Sequence, residues 1–204
     1  MIDEAVILEG MTALAECDPD VAEGWRLVGN PEPRIRPHGF EALLRIIVSQ
    51  QISTHAAAAI LTRVKERMVD QRAESFVKLT DVDLRECGLS KRKVDYAKGI
   101  AEAIIAGHLD LTSLETKPEE KVIADLSAIK GIGVWSAEIY AMFSLGRIDI
   151  FPADDLALQE ALKRLKNMKE RPSAKEARAA VAHWSPWRSV GSLFLWRYYR
   201  GAPQ

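Results

Sequence analysis

From Phe40 onward, apolar residues recur at helical spacing, at Leu43, Leu44, Ile47 and Val48 and then at Ala56, Ala59, Ile60 and Val64, with polar residues between them. Polar residues invade this face at Ser49-Gln50-Gln51-Ile52-Ser53, and Ser53 is placed to cap a second helix that runs to about Met68. A short helix near Leu79 to Cys87 ends at Gly88, and Ser90 caps KRKVDYAKGIAEAIIAG, which stops at Gly107. Pro118 with the acidic first turn Glu119-Glu120 opens a helix over 118–129. Lys130-Gly131-Ile132-Gly133 breaks it, and Val134 to Leu145 restarts the pattern. After Pro152, Asp154 or Asp155 opens a helix through Leu165; Ser173 caps residues 174–184, and a last helix spans roughly Ser189 to Tyr199. Strand-like alternation is confined to short pieces such as Arg147 to Phe151, so the pattern predicts an all-α fold. The stretch DPDVAEGWRLVGNPEPRIRPHG, rich in Gly and Pro, reads as the clearest linker.

Composition narrows the class of protein. A chain of 204 residues suffices for one sizeable domain or two small, tightly joined ones, and 48% hydrophobic with 28% charged residues is the balance of a core-forming globular protein. Only Cys17 and Cys87 are present, with no CxxC spacing, so a disulfide framework or an all-cysteine metal site lacks ligands and a reduced, cytoplasmic setting is expected. The start MIDEAVILEG has no basic region leading into an apolar run, and nothing approaches the roughly 18 apolar residues of a membrane span. Neither secretion nor membrane insertion is expected. The net charge of -1 conceals a gradient: residues 1–40 hold 3 basic and 8 acidic groups, whereas residues 121–204 hold 13 and 8. The C-terminal part is the candidate anion-facing region, although such runs most often only solvate a helix face.

Two short segments could carry chemistry. Leu126-Ser127-Ala128-Ile129-Lys130-Gly131-Ile132-Gly133-Val134-Trp135-Ser136-Ala137 is a helix ending in Gly-Ile-Gly before another helix begins. The two glycines permit positive φ and close backbone approach, and the free N–H groups at the start of the second helix suit a phosphate; a plain helix–helix turn would use the same residues. Beyond it, Asp149-Ile150-Phe151-Pro152-Ala153-Asp154-Asp155 sets two carboxylates directly after a proline turn. Capping accounts for one of the pair, and a helix N-terminus also keeps a carboxylate ionised, the state needed to stabilise a positively charged transition state.

On these segments the chain resembles the helix-hairpin-helix (HhH-GPD) DNA glycosylases of the alkylpurine type, the 3-methyladenine DNA glycosylase II family. The resemblance lies in LSAIKGIGVWSAEIYAMFSLGRIDIFPADDLALQ, in GFEALLRIIVSQQIS and CGLSKRKVDYAKGIA before it, and in WSPWRS and LFLW after it, and so covers nearly all of Phe40 to Trp196. It implies two helical subdomains, 37–145 with the hairpin and 1–36 plus 146–204 with the catalytic aspartate, and an active-site cleft between them. It implies that Asp154, two residues after the proline, is catalytic, and that Lys130, Gly131, Ile132 and Gly133 grip a DNA phosphate. The carbonyls of Ser127, Ile129 and Ile132 would hold a monovalent cation. Gln50, Gln51 and Ser53 match the loop that enters the duplex, with Gln51 as the wedge that fills the gap left by a flipped nucleotide. Trp135 and Trp196, with Ser136 and Phe40, match the base pocket, where an indole face would attract a cationic N-alkylated purine. Aromatic residues at helical spacing also serve simply as core.

Absences refine the expectation. Strand-cleaving relatives place a Schiff-base lysine where Trp135 stands, so a monofunctional enzyme is expected; the cluster-bearing relatives need four cysteines that this chain lacks. His38, His55, His108 and His183 show no ligand spacing and read as surface or packing residues, so neither cofactor nor catalytic metal is expected. Trp184 and Trp187 read as packing residues, and Arg188 pairs with an acid or a phosphate. The residues before the match at Phe40 are too few for the β-rich domain of the best-known bacterial branch, which also has tyrosines where Ile139 and Asp155 stand. The partner expected is double-stranded DNA carrying a damaged base, and one subunit suffices. A non-catalytic helix-hairpin-helix DNA-binding module, in which both aspartates only cap, is the alternative. A glycosylase for oxidised or mismatched bases is disfavoured by the missing lysine and cysteines.

Overall fold

A computed structural model describes residues 1–202. Among them there are twelve α-helices and no strand: α1 Glu4–Cys17, α2 Pro19–Val28, α3 Phe40–Ser49, α4 Thr54–Arg67, α5 Ala73–Phe76, α6 Asp81–Glu86, α7 Lys91–Ile105, α8 Glu119–Ser127, α9 Val134–Phe143, α10 Leu156–Leu165, α11 Ala174–Ala180 and α12 Arg188–Gly201. Short 3-10 turns follow α7, at Thr112–Glu115, and α11, at Ala182–Trp184. The all-α expectation holds, and Arg147 to Phe151 forms no strand.

The chain divides into two compact units, Arg36–Tyr140 and the combination of Met1–Ile35 with the described part of Ala141–Gln204. The second division falls inside α9. In the unit Arg36–Tyr140, α7 packs against α3, α5 and α6, and α3 also packs on α4. Its polar starts are capped as the sequence predicts: the Ser53 hydroxyl accepts from the Ala56 N–H at 3.2 Å and the Ser90 hydroxyl from that of Lys93 at 3.4 Å. In the other unit, α12 packs against α10, α1 and α2. Every residue from Ser189 to Trp196 is buried, so α12 is apolar or small all round, as a central helix must be. Each buried Leu or Phe there contributes about 1.5–3 kcal/mol. Gly191 lets the Trp184 ring come so close that a Cβ would lie 2.5 Å from it.

Two predicted elements need correction. The linker expected over residues 18–39 is half helix, because Pro19 occupies the first turn of α2, where its missing N–H costs nothing, and Asp18 caps it. Val21, Gly24 and Val28 are buried along that helix, so only residues 29–39 connect. The helix expected over 174–184 stops at Ala180 and continues as the 3-10 turn.

Candidate active site and nucleic-acid interface

The two carboxylates after Pro152 have separate fates. The Asp155 N–H closes a turn on the Pro152 carbonyl at 3.0 Å, and its Oδ1 caps α10, accepting from the Ala157 and Leu158 N–H groups at 2.9 and 3.1 Å. Asp154 lies one residue outside the cap. It is exposed and, among the described residues, its carboxylate has no hydrogen-bond or ion-pair partner. Asp155 is therefore occupied in capping the start of α10, while Asp154 presents an uncommitted carboxylate.

The segment that carries Asp154 is held from several sides. The buried Gln159 amide donates to the Ala153 carbonyl at 2.7 Å, and Arg178 donates to the Phe151 carbonyl at 3.0 Å. The buried Ser189 hydroxyl donates to the Arg147 carbonyl at 2.7 Å and accepts from the Ile150 N–H at 2.9 Å. Arg188 grips Asp149 through two contacts, at 2.6 and 2.7 Å, which answers the open question of its partner. Burial alone would raise the Asp149 pKa, but the Arg188 and Ser185 hydrogen bonds win and hold it below the ordinary carboxylate value.

Trp196 lies in the same unit and is only 8% exposed. Phe143 tilts against it with centroids 5.9 Å apart, and the Arg34 guanidinium lies over the ring, 5.3 Å from its centroid. Burial, then the nearby Arg200 charge, lowers the Arg34 pKa, against the opposing pull of Glu32 and Asp155. Arg34 escapes sequence reasoning because it sits in a segment without periodicity.

The hairpin belongs to the other unit. The Ile129 N–H bonds the Leu126 carbonyl at 3.2 Å and the Ile132 N–H the Ile129 carbonyl at 3.0 Å, which tightens the turn after α8. Gly131 alone of its two glycines takes positive φ, +98°, and a Cβ there would stand 2.4 Å from the Tyr96 ring. Gly133 is exposed, and a Cβ on it would meet nothing within 4 Å, so there is open space at the start of α9, where the first N–H groups of a helix lack intrahelical partners. Gln50 donates from its amide to the Gly131 carbonyl at 3.0 Å, joining the loop between α3 and α4 to the hairpin. Gln51 is exposed in the left-handed region, φ +59°, with its carbonyl oxygen 3.3 Å from an Arg92 nitrogen. Such a conformation in a non-glycine residue costs about 1–3 kcal/mol and collects at functional positions.

The remaining predicted residues are more varied. Trp135 is 38% exposed in the first turn of α9, Ser136 beside it is buried, and Phe40 is buried against Phe76 at 5.2 Å. Ser53 caps α4 and Lys130 is exposed. The Ser127 hydroxyl is buried without a partner among the described residues. His38 shares a hydrogen bond of 2.8 Å with Tyr140, and His183 bonds Asp18 at 3.0 Å. Trp184 is a packing residue, as expected, and donates its indole N–H to Asp18 at 2.7 Å. Among the described residues no three His, Cys, Asp or Glu side chains converge as metal ligands, and no helix is long and apolar enough to cross a membrane.

An all-helical chain with a tight glycine hairpin between α8 and α9 and a carboxylate turn before α10 defines a class. The sequence model of the HhH-GPD superfamily of base excision DNA repair proteins matches residues 44–186, and the chain belongs to that superfamily. It is 33% identical over 186 residues to the DNA-3-methyladenine glycosylase 1 of Schizosaccharomyces pombe, covering 86% of this chain and 82% of the relative. Among solved structures it is similar to a DNA-3-methyladenine glycosidase from Bacillus halodurans, with a TM-score of 0.83, 34% identity and coverage of 95% and 89% of the two chains. It is also similar to the S. pombe 3-methyladenine DNA glycosylase Mag1 in complex with abasic DNA, with a TM-score of 0.84, 31% identity and coverage of 92% and 95%. The family is the one that the sequence resemblance indicated.

Proposed function

We propose that the protein is a monofunctional DNA glycosylase of base excision repair that flips an alkylated purine out of duplex DNA and hydrolyses its N-glycosidic bond. The substrate is 3-methyladenine, with 7-methylguanine and ethenoadenine as further candidates. The observation that carries this reading is the division of the Asp154-Asp155 pair, in which one carboxylate caps α10 and the other is exposed and uncommitted. In the alternative, a non-catalytic DNA-binding module, both aspartates would cap, and among the described residues only Asp155 of the pair makes capping bonds.

In this reaction the base leaves as the sugar acquires oxocarbenium character, and Asp154 stabilises that positive charge and orients the attacking water. A cationic alkylpurine is already a good leaving group, so strong general-acid assistance is unnecessary. No lysine stands at Trp135 to form a Schiff base, so the products are a free base and an intact strand with an abasic site. Lys130, Gly131, Ile132 and Gly133 hold a phosphate through the hairpin, Gln50 sets the hairpin's carbonyl, and Gln51 enters the gap left by the flipped nucleotide. The unpartnered Ser127 hydroxyl at the end of α8 fits a monovalent cation held by the carbonyls of Ser127, Ile129 and Ile132, which would complement the phosphate charge.

Release of free base from alkylated duplex DNA tests the proposal. Asp154→Asn is expected to lower release at least about a hundredfold while DNA binding stays within about threefold. Asparagine caps nearly as well as aspartate, so Asp155→Asn keeps at least about a third of the rate. Equal losses in the two variants would sink the assignment, and wild-type binding without release of any base would replace the enzyme with a DNA-binding module.

A further inference from the structure

Trp196 is an indole with a cation already on it. The Arg34 guanidinium lies 5.3 Å from the ring centroid, and the indole is left with only 8% of its surface exposed. Arg34 comes from the connecting segment Pro31-Glu32-Pro33-Arg34, outside any helix, so its backbone is not tied into an α-helical hydrogen-bond ladder. The charges that act on it are Arg200, Glu32 and Asp155, the last being the neighbour of Asp154 in the chain. Of these, Asp155 acts most weakly, and the direct contact of the guanidinium is with the indole.

We propose that Arg34 is a specificity-determining gate, a guanidinium that covers the face of Trp196 and sets the choice between cationic and neutral damaged bases. The proposal rests on the reading of Trp196 as a wall of the base pocket. A flipped base that stacks on this indole must displace Arg34 or share the ring with it. A cationic alkylpurine competes with the guanidinium for the same electron-rich face and is repelled by it. A neutral base such as hypoxanthine meets no such repulsion, and its ring nitrogens and carbonyl oxygen can accept from the guanidinium N–H groups. A cation–π contact of this kind shifts an equilibrium about two- to thirtyfold, enough to bias substrate choice without abolishing either reaction. Removing Arg34 should thus favour cationic over neutral lesions. A guanidinium that merely fastens the connecting segment would, when removed, slow both reactions together.

The test is single-turnover base release, at saturating protein, from two duplexes that differ only in the lesion, 7-methylguanine or hypoxanthine. Wild type is compared with Arg34→Ala, Arg34→Gln, Arg34→Lys and Trp196→Ala. Arg34→Ala and Arg34→Gln are expected to raise the ratio of 7-methylguanine to hypoxanthine release about tenfold, while Arg34→Lys, which keeps the charge, stays within about threefold of wild type. Arg34→Gln keeps much of the bulk and reports on the charge even if Arg34→Ala fails to fold. A ratio unchanged in both neutral variants overturns the gate. If Trp196→Ala leaves both rates as in wild type, the pocket reading itself is wrong and the gate falls with it. Loss of both activities in Trp196→Ala with an unchanged ratio at Arg34 overturns the gate alone. Release of neither base by wild type overturns the glycosylase reading and the gate together.

Discussion

The segment that bears Asp154 and the segments that bear the hairpin and Gln51 are fixed to different degrees. Before α10, carbonyl after carbonyl is claimed by a side chain from another element: Arg147 by Ser189, Phe151 by Arg178 and Ala153 by Gln159. Around the hairpin, the bond from Gln50 to Gly131 is joined by the packing of Gly131 on Tyr96, and beside it Arg92 donates to the Gln51 side chain and Lys93 to the Val48 carbonyl at the end of α3. Gln51 and Lys130 are exposed. The contrast matches the proposed tasks. A carboxylate that must stabilise a transient charge is useful only within a fraction of an ångström, whereas a phosphate grip gains from N–H groups left open and tolerates adjustment.

The largest effect that would break this contrast is expected at Gly131. Alanine there must adopt φ near +98° and push its Cβ into the Tyr96 ring, at a combined cost of about 3 kcal/mol. Gly131→Ala should lower the melting temperature and weaken binding to alkylated and undamaged duplexes alike, while the release rate of the fully bound complex stays within about threefold of wild type. If the release rate collapses while binding holds, the hairpin does more than grip.

A smaller effect separates the two units by acid. Asp18, 1% exposed, caps α2 and accepts from Lys166, Trp184 and His183. Burial by itself would raise its pKa, but the Lys166, Trp184 and His183 hydrogen bonds prevail and bring it from 3.8 to about 2. A folded-state value below the unfolded one contributes stability above about pH 4, here about 2 kcal/mol, and that stability is lost as the pH falls towards 2. The counterpart in Arg36–Tyr140 is Glu41, held low chiefly by Lys65, but its side chain is 22% exposed and correspondingly screened. Trp25, Trp184, Trp187 and Trp196 report on the unit with Asp18 and Trp135 on the other. Urea unfolding followed by tryptophan fluorescence should therefore lose midpoint between pH 5 and 3 in wild type and lose much less in Asp18→Asn. Equal acid sensitivity in the two proteins would remove Asp18 as the cause.

What the chain discloses in advance follows the range of the interaction. Ser53, Ser90 and Ser173 cap the helices predicted from them because a cap involves residues three positions apart. The α2 helix was hidden by its own Gly and Pro content, although Asp18-Pro19 is a sound helix start. The carboxylate pair was visible, but which member caps depends on a turn whose carbonyls are held by Gln159, Arg178 and Ser189. The cation on Trp196 was invisible, since Arg34 and Trp196 are distant in sequence and neither belongs to a motif that implies the other.

The smallest effect is expected at Gln50, and it sharpens the contrast most. Its amide N–H reaches the Gly131 carbonyl at 3.0 Å from a half-buried position, so water can replace part of the bond, and its loss should cost about 1 kcal/mol. Gln50→Ala would then bind duplex DNA about fivefold more weakly. Gln50→Glu, which keeps the shape but removes the donor, would weaken it at least as much, because its carboxylate faces a carbonyl oxygen. Both should release base from the bound state at close to the wild-type rate, since Gln50 acts through the hairpin and not on the reacting sugar. A release rate that falls tenfold with unchanged binding would place Gln50 in the reaction itself, and grip and chemistry would no longer divide between the two regions.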